Sequence, residues 1–312
     1  MQISFGMFED QHRRQKKGML DEIGSVIDFG KIEKLLLEMY VGTTGRPPIP
    51  PLILFKALLL ESWYNLSDVE VVQEIHDRRS FERFVGADVR KYHVDDTTLV
   101  KFRERMRDAR LIDQVWKEIQ IQLERKGFLV KKGTIVDSTL VKGACKPESK
   151  TQEGKPVDPD VHYTSRNGKA VDGMKVHVGM DQGSGLIRKM EISHIEKHDH
   201  EYLKPMIRHK TKKVFADKAY ASQAHDDYLE SRKIKNGILA KGYRDHPLTP
   251  VQERRNWRLS RVRSIVEPKM NDLKNWCSMA RMRYYGLAKN RLWVLICGIA
   301  CNGKRALKLQ AA

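Results

Sequence analysis

Up to about residue 125 the apolar positions recur at helical spacing. "PPIPPLILFKALLLESWYN" opens with prolines, which a helix start tolerates, and then runs apolar, predicting a buried helix. In "LSDVEVVQEIHD", Ser67 stands three residues before Glu70, the capping-box spacing, and the valines and Ile75 return to one face. "DDTTLVKFRERMRDARLIDQVWKEIQIQLERKG" offers another cap and a long amphipathic pattern closed by Gly127, so a compact domain of several short helices is expected. From Gly133 the pattern changes. "TIVDSTLVKG", "MKVHVGMD", "GLIRKMEIS" and "KVFADKAY" are short, β-branched and bounded by Gly, Asp or Lys, as strands are. "DQGSG" predicts a tight turn between the second and third of these, and the polar segment from Cys145 to Gly173 a long basic loop. "HDHEYLKPMIRH" predicts a helix before "KVFADKAY". Another helix ("SQAHDDYLESRK"), a short strand ("NGILA"), a basic stretch and a last long helix from about Leu259 complete the order. The chain therefore divides into a helical part, residues 1–125, and an α/β part, residues 126–312, with a basic C-terminal helix.

Composition narrows the partner. In 312 residues, 58 Lys and Arg face 40 Asp and Glu, a formal net charge of +18, and at 40% hydrophobic content the chain buries a sizeable core. A globular protein this basic is matched to a polyanion, nucleic acid first. A membrane is not expected: "PPLILFKALLLESW" is short and broken by Lys56, and the N-terminus carries no secretory pattern. Four cysteines without metal-site spacing fit a reducing, cytoplasmic setting.

Two strands end alike, "TIVD" at Asp137 and "VFAD" at Asp217. A lone Asp after a strand is ordinarily a turn or cap residue. Two at buried strand ends in a basic chain suit a hard divalent cation, which takes oxygen ligands. In "RVRSIVEPKMNDLKNW", Arg263, Glu267 and Lys274 are separated by four and seven residues, which returns them to one face if a single helix runs through Pro268. The same pattern suits an ordinary ion-paired face. Asp181 opens a turn, Asp95 and Asp96 read as caps, and His198 to Glu201 as a helix start rather than a zinc site. Trp63, Trp276 and Trp293 read as packing residues.

"RSIVEPKMNDLK", with its Arg, Glu and Lys spacing, resembles the signature of bacterial insertion-sequence transposases of the DDE class. "IVDST", "GMKVHVGMD", "VFADKAY" and "RMRYYGLAKN" are similar to the insertion-sequence-five group, within the insertion-sequence-four/five superfamily. So, in the helical part, are "GRPPIPPLILFKALLL", "WYNLSDVEVVQEI" and "DDTTLVKFRERM". That signature often carries a Tyr three positions before the Arg, where Ser260 stands here.

The resemblance implies a ribonuclease-H-like mixed-sheet catalytic domain preceded by an all-helical domain that binds the element's ends. Its first strand, fourth strand and last helix would bring Asp137, Asp217 and Glu267 together around two Mg²⁺ ions, for which Mn²⁺ would substitute, and Lys274 and Arg263 would contact phosphate near the scissile bond. The implied partners are double-stranded DNA, as terminal inverted repeats and target, and a second copy in the synaptic complex; the implied location is the bacterial cytoplasm at the nucleoid. The 50 residues from Asp217 to Glu267 leave no room for a large inserted domain. Lys142, Lys169 and Lys175 around the basic loop, with Arg281, Arg283, Lys289 and Arg291 in "ARMRYYGLAKNR", are the candidates for tracking phosphate, and "GRPP" with the helices after it for reading the ends. A non-cutting repressor and a ribonuclease-H-like nuclease acting on branched or hybrid nucleic acid are the competing readings.

Overall fold

A computed structural model describes residues 18–40, 48–86, 92, 94–166, 168–208 and 210–311. The first helices are α1 (Met19–Glu22), α2 (Phe29–Leu37), α3 (Pro51–Tyr64), α4 (Asp68–Asp77), α5 (Arg79–Val85), α6 (Asp96–Asp108) and α7 (Leu111–Arg125). Their ends are set by local chemistry. Pro51 starts α3, and Asn65 ends it in the left-handed region at φ 55°. The Ser67 hydroxyl accepts the Glu70 amide at 3.2 Å, while the Glu70 carboxylate accepts the Ser67 amide at 2.7 Å, the reciprocal box read from the sequence. Asp95 caps α6 by accepting the Thr98 amide. The amphipathic pattern from Asp95 to Gly127 forms two helices, because Arg110 takes φ 51° and turns the chain between α6 and α7.

The sheet is built from β1 (Thr134–Val141), β2 (His162–Arg166), β3 (Lys169–Asp181), β4 (Ile187–His194), β5 (Lys213–Ala216) and β6 (Lys235–Ile238). β3 runs antiparallel to β1, β2 and β4, whereas β1, β5 and β6 are parallel to one another. The strand order β4-β3-β1-β5-β6, three antiparallel and the last pairs parallel, is the ribonuclease-H-like arrangement that the resemblance implied. Part of the expected basic loop is strand: β2 pairs with an N-terminal extension of β3. Gly173, at φ 139°, sits where that extension meets the main sheet, and a Cβ there would run into the Val141 carbonyl oxygen. The helix expected from "HDHEYLKPMIRH" is one 3₁₀ turn (Asp199–Tyr202) followed by α8 (Leu203–Met206), short because Ile207 is extended. Then come α9 (Gln223–Ser231), α10 (Pro250–Arg263), α11 (Val266–Trp276) and α12 (Leu287–Gln310). The single last helix expected from Leu259 is thus three. Of these, the C-terminal α12 is buried over most of its length rather than a basic surface element.

The sheet is covered on both faces. Val136, Val214 and Ala216 join Leu203, Met206 and Leu229 in a small cluster, while Ile135 and Phe215 belong to the main core, which continues into α3, α7, α11 and α12. α12 packs on β4, α3 and α7. Its Asn302 clasps the backbone of Ile187, accepting that amide and donating to that carbonyl at 2.8 Å each. Trp63 Nε1 donates to the Ala300 carbonyl, and Ser62 Oγ to that of Cys277, so α3 is tied to the C-terminal segment by hydrogen bonds in a dry interior.

One carboxyl lies inside this junction. Glu61 on α3 is fully buried, with Arg283 at 2.9 Å and Arg103 at 3.8 Å. Burial, with Asp68 adding to it, outweighs the two guanidinium groups and pushes the Glu61 carboxyl up to about 8. Such a group binds its proton more tightly in the folded chain than in the unfolded one. Its contribution is therefore fully present below the ordinary carboxylate range and declines as pH rises toward about 8. Glu61→Gln should flatten that decline, which reaches at most about 1.4 kcal/mol per pH unit; urea unfolding of both proteins at about pH 5 and about pH 8 checks it. Gly173→Ala, with its backbone collision, should cost more than an exposed Gly→Ala change, about 2 kcal/mol or more in the same assay.

Candidate active site

Parallel pairing brings the two aspartates side by side. β1 and β5 pair Thr134 with Val214 and Ile135 with Phe215, and this register (214 − 134 = 80) also relates Asp137 to Asp217 (217 − 137 = 80). Asp217 stands just past β5, whereas Asp137, expected at the end of its strand, lies inside β1, which runs on to Val141 because Ser138 to Val141 continue to pair with β3. Asp137 accepts the amide of Ser138, and Asp217 caps the 3₁₀ turn Lys218–Tyr220 by accepting the Lys218 amide at 2.7 Å.

Between them lies Arg263, the last residue of α10. Its Nη2 is 3.2 Å from Asp137 Oδ2 and its Nη1 3.6 Å from Asp217 Oδ1. The Arg263 side chain is 16% exposed and Asp137 22%, so the pair is shielded enough for its charges to matter. Burial holds the Asp137 carboxyl above the usual range, with the charge of Arg263 opposing. Tyr220, buried three residues past Asp217, is a neighbour that the sequence reading missed. Its hydroxyl is pushed upward by burial, with Asp199 and Asp137 adding to it.

Glu267 is not in this cluster. α10 stops at Arg263 and α11 starts at Val266, so the four-residue spacing crosses a break between helices, and Glu267 stands exposed on the first turn of α11. Arg263, Glu267 and Lys274 therefore do not share one continuous helix face. Among the described residues no three His, Cys, Asp or Glu side chains come together closely enough to hold one ion. The donor chemistry nevertheless fits a divalent cation in part. Two hard carboxylates on adjacent strands, Asp137 within β1 and Asp217 just past β5, converge on one positive group, and the buried Nε of that group has no hydrogen-bond partner among the described residues.

Lys274 lies elsewhere on α11, in a cleft of about 500 Å³ whose lining includes Asn65, Ser278, Arg281 and Arg283. This cleft adjoins the end of β1, because the Lys142 amide donates to the Ala280 carbonyl and the Met282 amide to that of Lys142. The cations expected to track phosphate fall into two groups. Lys142, Lys169 and Lys289 are exposed. The others are engaged within the protein: Arg281 donates to the carbonyls of Gly143 and Ala144, Arg283 pairs with buried Glu61, and Lys175 pairs with Asp199. Arg291 is held by Asp113 and Glu191. Their pattern in the sequence resembles a basic patch, but buried or facing carboxylates and carbonyls claim them. Residues 45–47 of "GRPP" lie outside the described residues.

Asp181 keeps its turn role, buried and accepting the amides of Val130, Lys131 and Ser184. His198 precedes the 3₁₀ turn, its amide bound by Glu201. Trp63 and Trp293 are buried as expected, but Trp276 is 62% exposed, with the Lys304 ammonium over its ring.

Residues 129–302 match the family described as Transposase DDE domain, and residues 8–105 match a second, Transposase domain (DUF772). Among solved structures, the piggyBac transposase synaptic complex with hairpin DNA is similar at 11% identity and a TM-score of 0.44, over 93% of this chain and 73% of that one. The Mos1 strand transfer complex is similar at 13% identity and a TM-score of 0.22, over 86% and 80% of the two chains. No helix among the described residues is long and apolar enough to cross a membrane.

If Arg263 is the counter-ion of both carboxylates, Arg263→Gln should lower stability by about 1–3 kcal/mol. Adding Asp137→Asn, which removes one of the two facing charges, should recover part of that loss. Urea unfolding of the two single variants and the double variant decides, and strictly additive losses would rule the coupling out.

Proposed function

We propose that this chain, which belongs to the transposase family defined by the DDE domain, binds the terminal inverted repeats of an insertion sequence and catalyses Mg²⁺-dependent strand cleavage and strand transfer. The observation that carries the reading is the convergence of Asp137, within β1, and Asp217, just past the adjacent parallel β5, on one cationic position. Asp137 and Asp217, with Glu267 as the third carboxylate, would hold two Mg²⁺ ions, with Mn²⁺ able to substitute. When bound, these ions supply the Lewis acidity that activates a water or a 3′ hydroxyl and neutralises charge on the leaving oxygen.

The remaining work falls to the chain's own groups. The sheet fixes both aspartates, so the reacting phosphate meets carboxylates that need not be ordered at the moment of reaction. Arg263 offers a planar fork suited to a phosphate's oxygens, and Lys274 a point charge. The helical region, residues 1–125, binds the element's ends, and residues 126–312 carry out the chemistry. Exposed Lys142, Lys169 and Lys289 hold duplex backbone, with Arg281 at the edge of the Lys274 cleft. Two copies act together, because two ends must be synapsed, at the nucleoid of a bacterial cytoplasm.

The second reading, a repressor that occupies element ends without cutting, is favoured by one observation: Arg263 neutralises the two carboxylates while Glu267 stands apart. Cleavage of a labelled duplex carrying the element's end separates the two. Cutting at the element boundary should be abolished by Asp137→Ala, Asp217→Ala and Glu267→Ala singly, each by more than the roughly 10–100-fold that loss of an outer-shell partner costs, with end binding retained. Binding by the intact chain without any cutting, in Mg²⁺ or Mn²⁺, would establish the repressor instead.

A further inference from the structure

Helix α10 has two faces of opposite character. Arg255, Asn256, Leu259 and Arg263 turn toward the protein. Arg255 donates to the carbonyls of Ile238 and Asn236, Asn256 exchanges hydrogen bonds with the Ala240 backbone, and Leu259 is buried. At 3.6 residues per turn the opposite stripe is formed by positions 254, 257 and 261, with 258 on its flank. These are Arg254, Trp257, Arg261 and Arg258, and all four are exposed. Trp257 leaves 62% of its surface in solvent, and the Arg261 guanidinium lies 5.1 Å from the centre of its ring. Among the described residues, no carboxylate pairs with Arg254, Arg258 or Arg261.

An exposed helix face is ordinarily a mixture of both charge signs with small polar residues. Here three guanidinium groups flank an open indole, on the same helix that places Arg263 between the two aspartates. Guanidinium groups along a line match phosphates, and Arg254 to Arg261 covers about 10 Å of helix, the rise of about three stacked nucleotides. An indole needs a bare base face, which a fully paired duplex offers only at its ends. Stacking with flanking cations is the means by which proteins hold unpaired nucleic acid without reading its sequence.

We infer that the outer face of α10 holds an unpaired strand of nucleic acid on the side of the helix turned away from Arg263 and the carboxylates, with Arg254, Arg258 and Arg261 on its phosphates and Trp257 stacked on a base. The inference rests on the nucleic-acid reading above but not on cleavage. Sequence reading did not find it, because "ERRNWRLSRVR" looks like a solvated basic helix until the inward face is known.

The test uses the full chain and two fluorescently labelled oligonucleotides, a duplex with an unpaired tail and the same duplex fully paired. Anisotropy is measured across a salt series without divalent metal, so that no cutting intervenes. The intact chain should prefer the tailed duplex. Trp257→Ala should lose that preference, about tenfold, while Trp257→Phe keeps most of it. Arg254→Ala, Arg258→Ala and Arg261→Ala should each weaken tailed binding and lower the salt slope by about one.

Equal tailed binding by intact protein and Trp257→Ala, with unchanged salt slopes in the Arg variants, would overturn the inference. So would loss of self-association in Trp257→Ala with DNA binding unchanged, since the face would then belong to a second copy. The cleavage reading fails separately: a chain that shows the tail preference but cuts no element end keeps this inference and loses that reading. A chain that cuts, but whose tail binding ignores these four side chains, does the reverse.

Discussion

The parallel pairing of β1 with β5 is the constraint on which the site depends. Parallel strands need a crossover between them, and here that crossover contains three strands, β2, β3 and β4, and the turn of α8. Only when those are in place do residues 80 apart in sequence become neighbours. Both faces of the paired strands are buried, Ile135 and Phe215 on one side, Val136 and Val214 on the other. A slip of one residue would exchange the two faces and bury polar groups, so the register is held by burial on both sides. The aspartates inherit that rigidity, because Asp137 lies within β1 and Asp217 immediately beyond β5, and neither strand can slide.

Close approach of two carboxylates is unfavourable by itself, and Arg263 resolves the conflict in this structure. It comes from α10, which is anchored by Arg255 and Asn256 to the backbone near β6. The helix therefore answers to the sheet's far edge as well as to the aspartates. The break at Ser264 and Ile265 then separates Arg263 from α11, in whose first turn Glu267 is exposed to solvent. Anchoring inward on one side of α10 also leaves its other side, with Trp257, uncovered among the described residues.

The helical region is not an appendage on this core. α12, at the end of the chain, packs between β4 and the helices α3 and α7, and the Asn302 clasp and the Glu61 cluster seal the two sides. Arg283 shows what such a junction does to a surface-like residue. Within "RMRYYGLAKN" it reads as a cation for phosphate, yet a buried carboxylate on a helix more than two hundred residues earlier claims it. Linear sequence contains no sign of that partner, since Glu61 sits in an apolar run like any charge at the edge of a helix.

Local patterns in the sequence determined the caps at Ser67 and Asp95, the strands around Asp137 and Asp217, and the turn at Asp181. Each rests on contacts within a few residues, which spacing alone encodes. Resemblance supplied the order of the sheet and the pairing of the two aspartates. Tertiary structure alone decided what needs distant partners: the division of the last helix into three, the burial of α12, the engagement of Arg281, Arg283 and Arg291, and the exposure of Trp257 and Trp276. A helical period says which residues share a face but not which face meets the core. That is fixed only when the rest of the chain has packed, because burial is a property of the whole molecule and not of any segment within it.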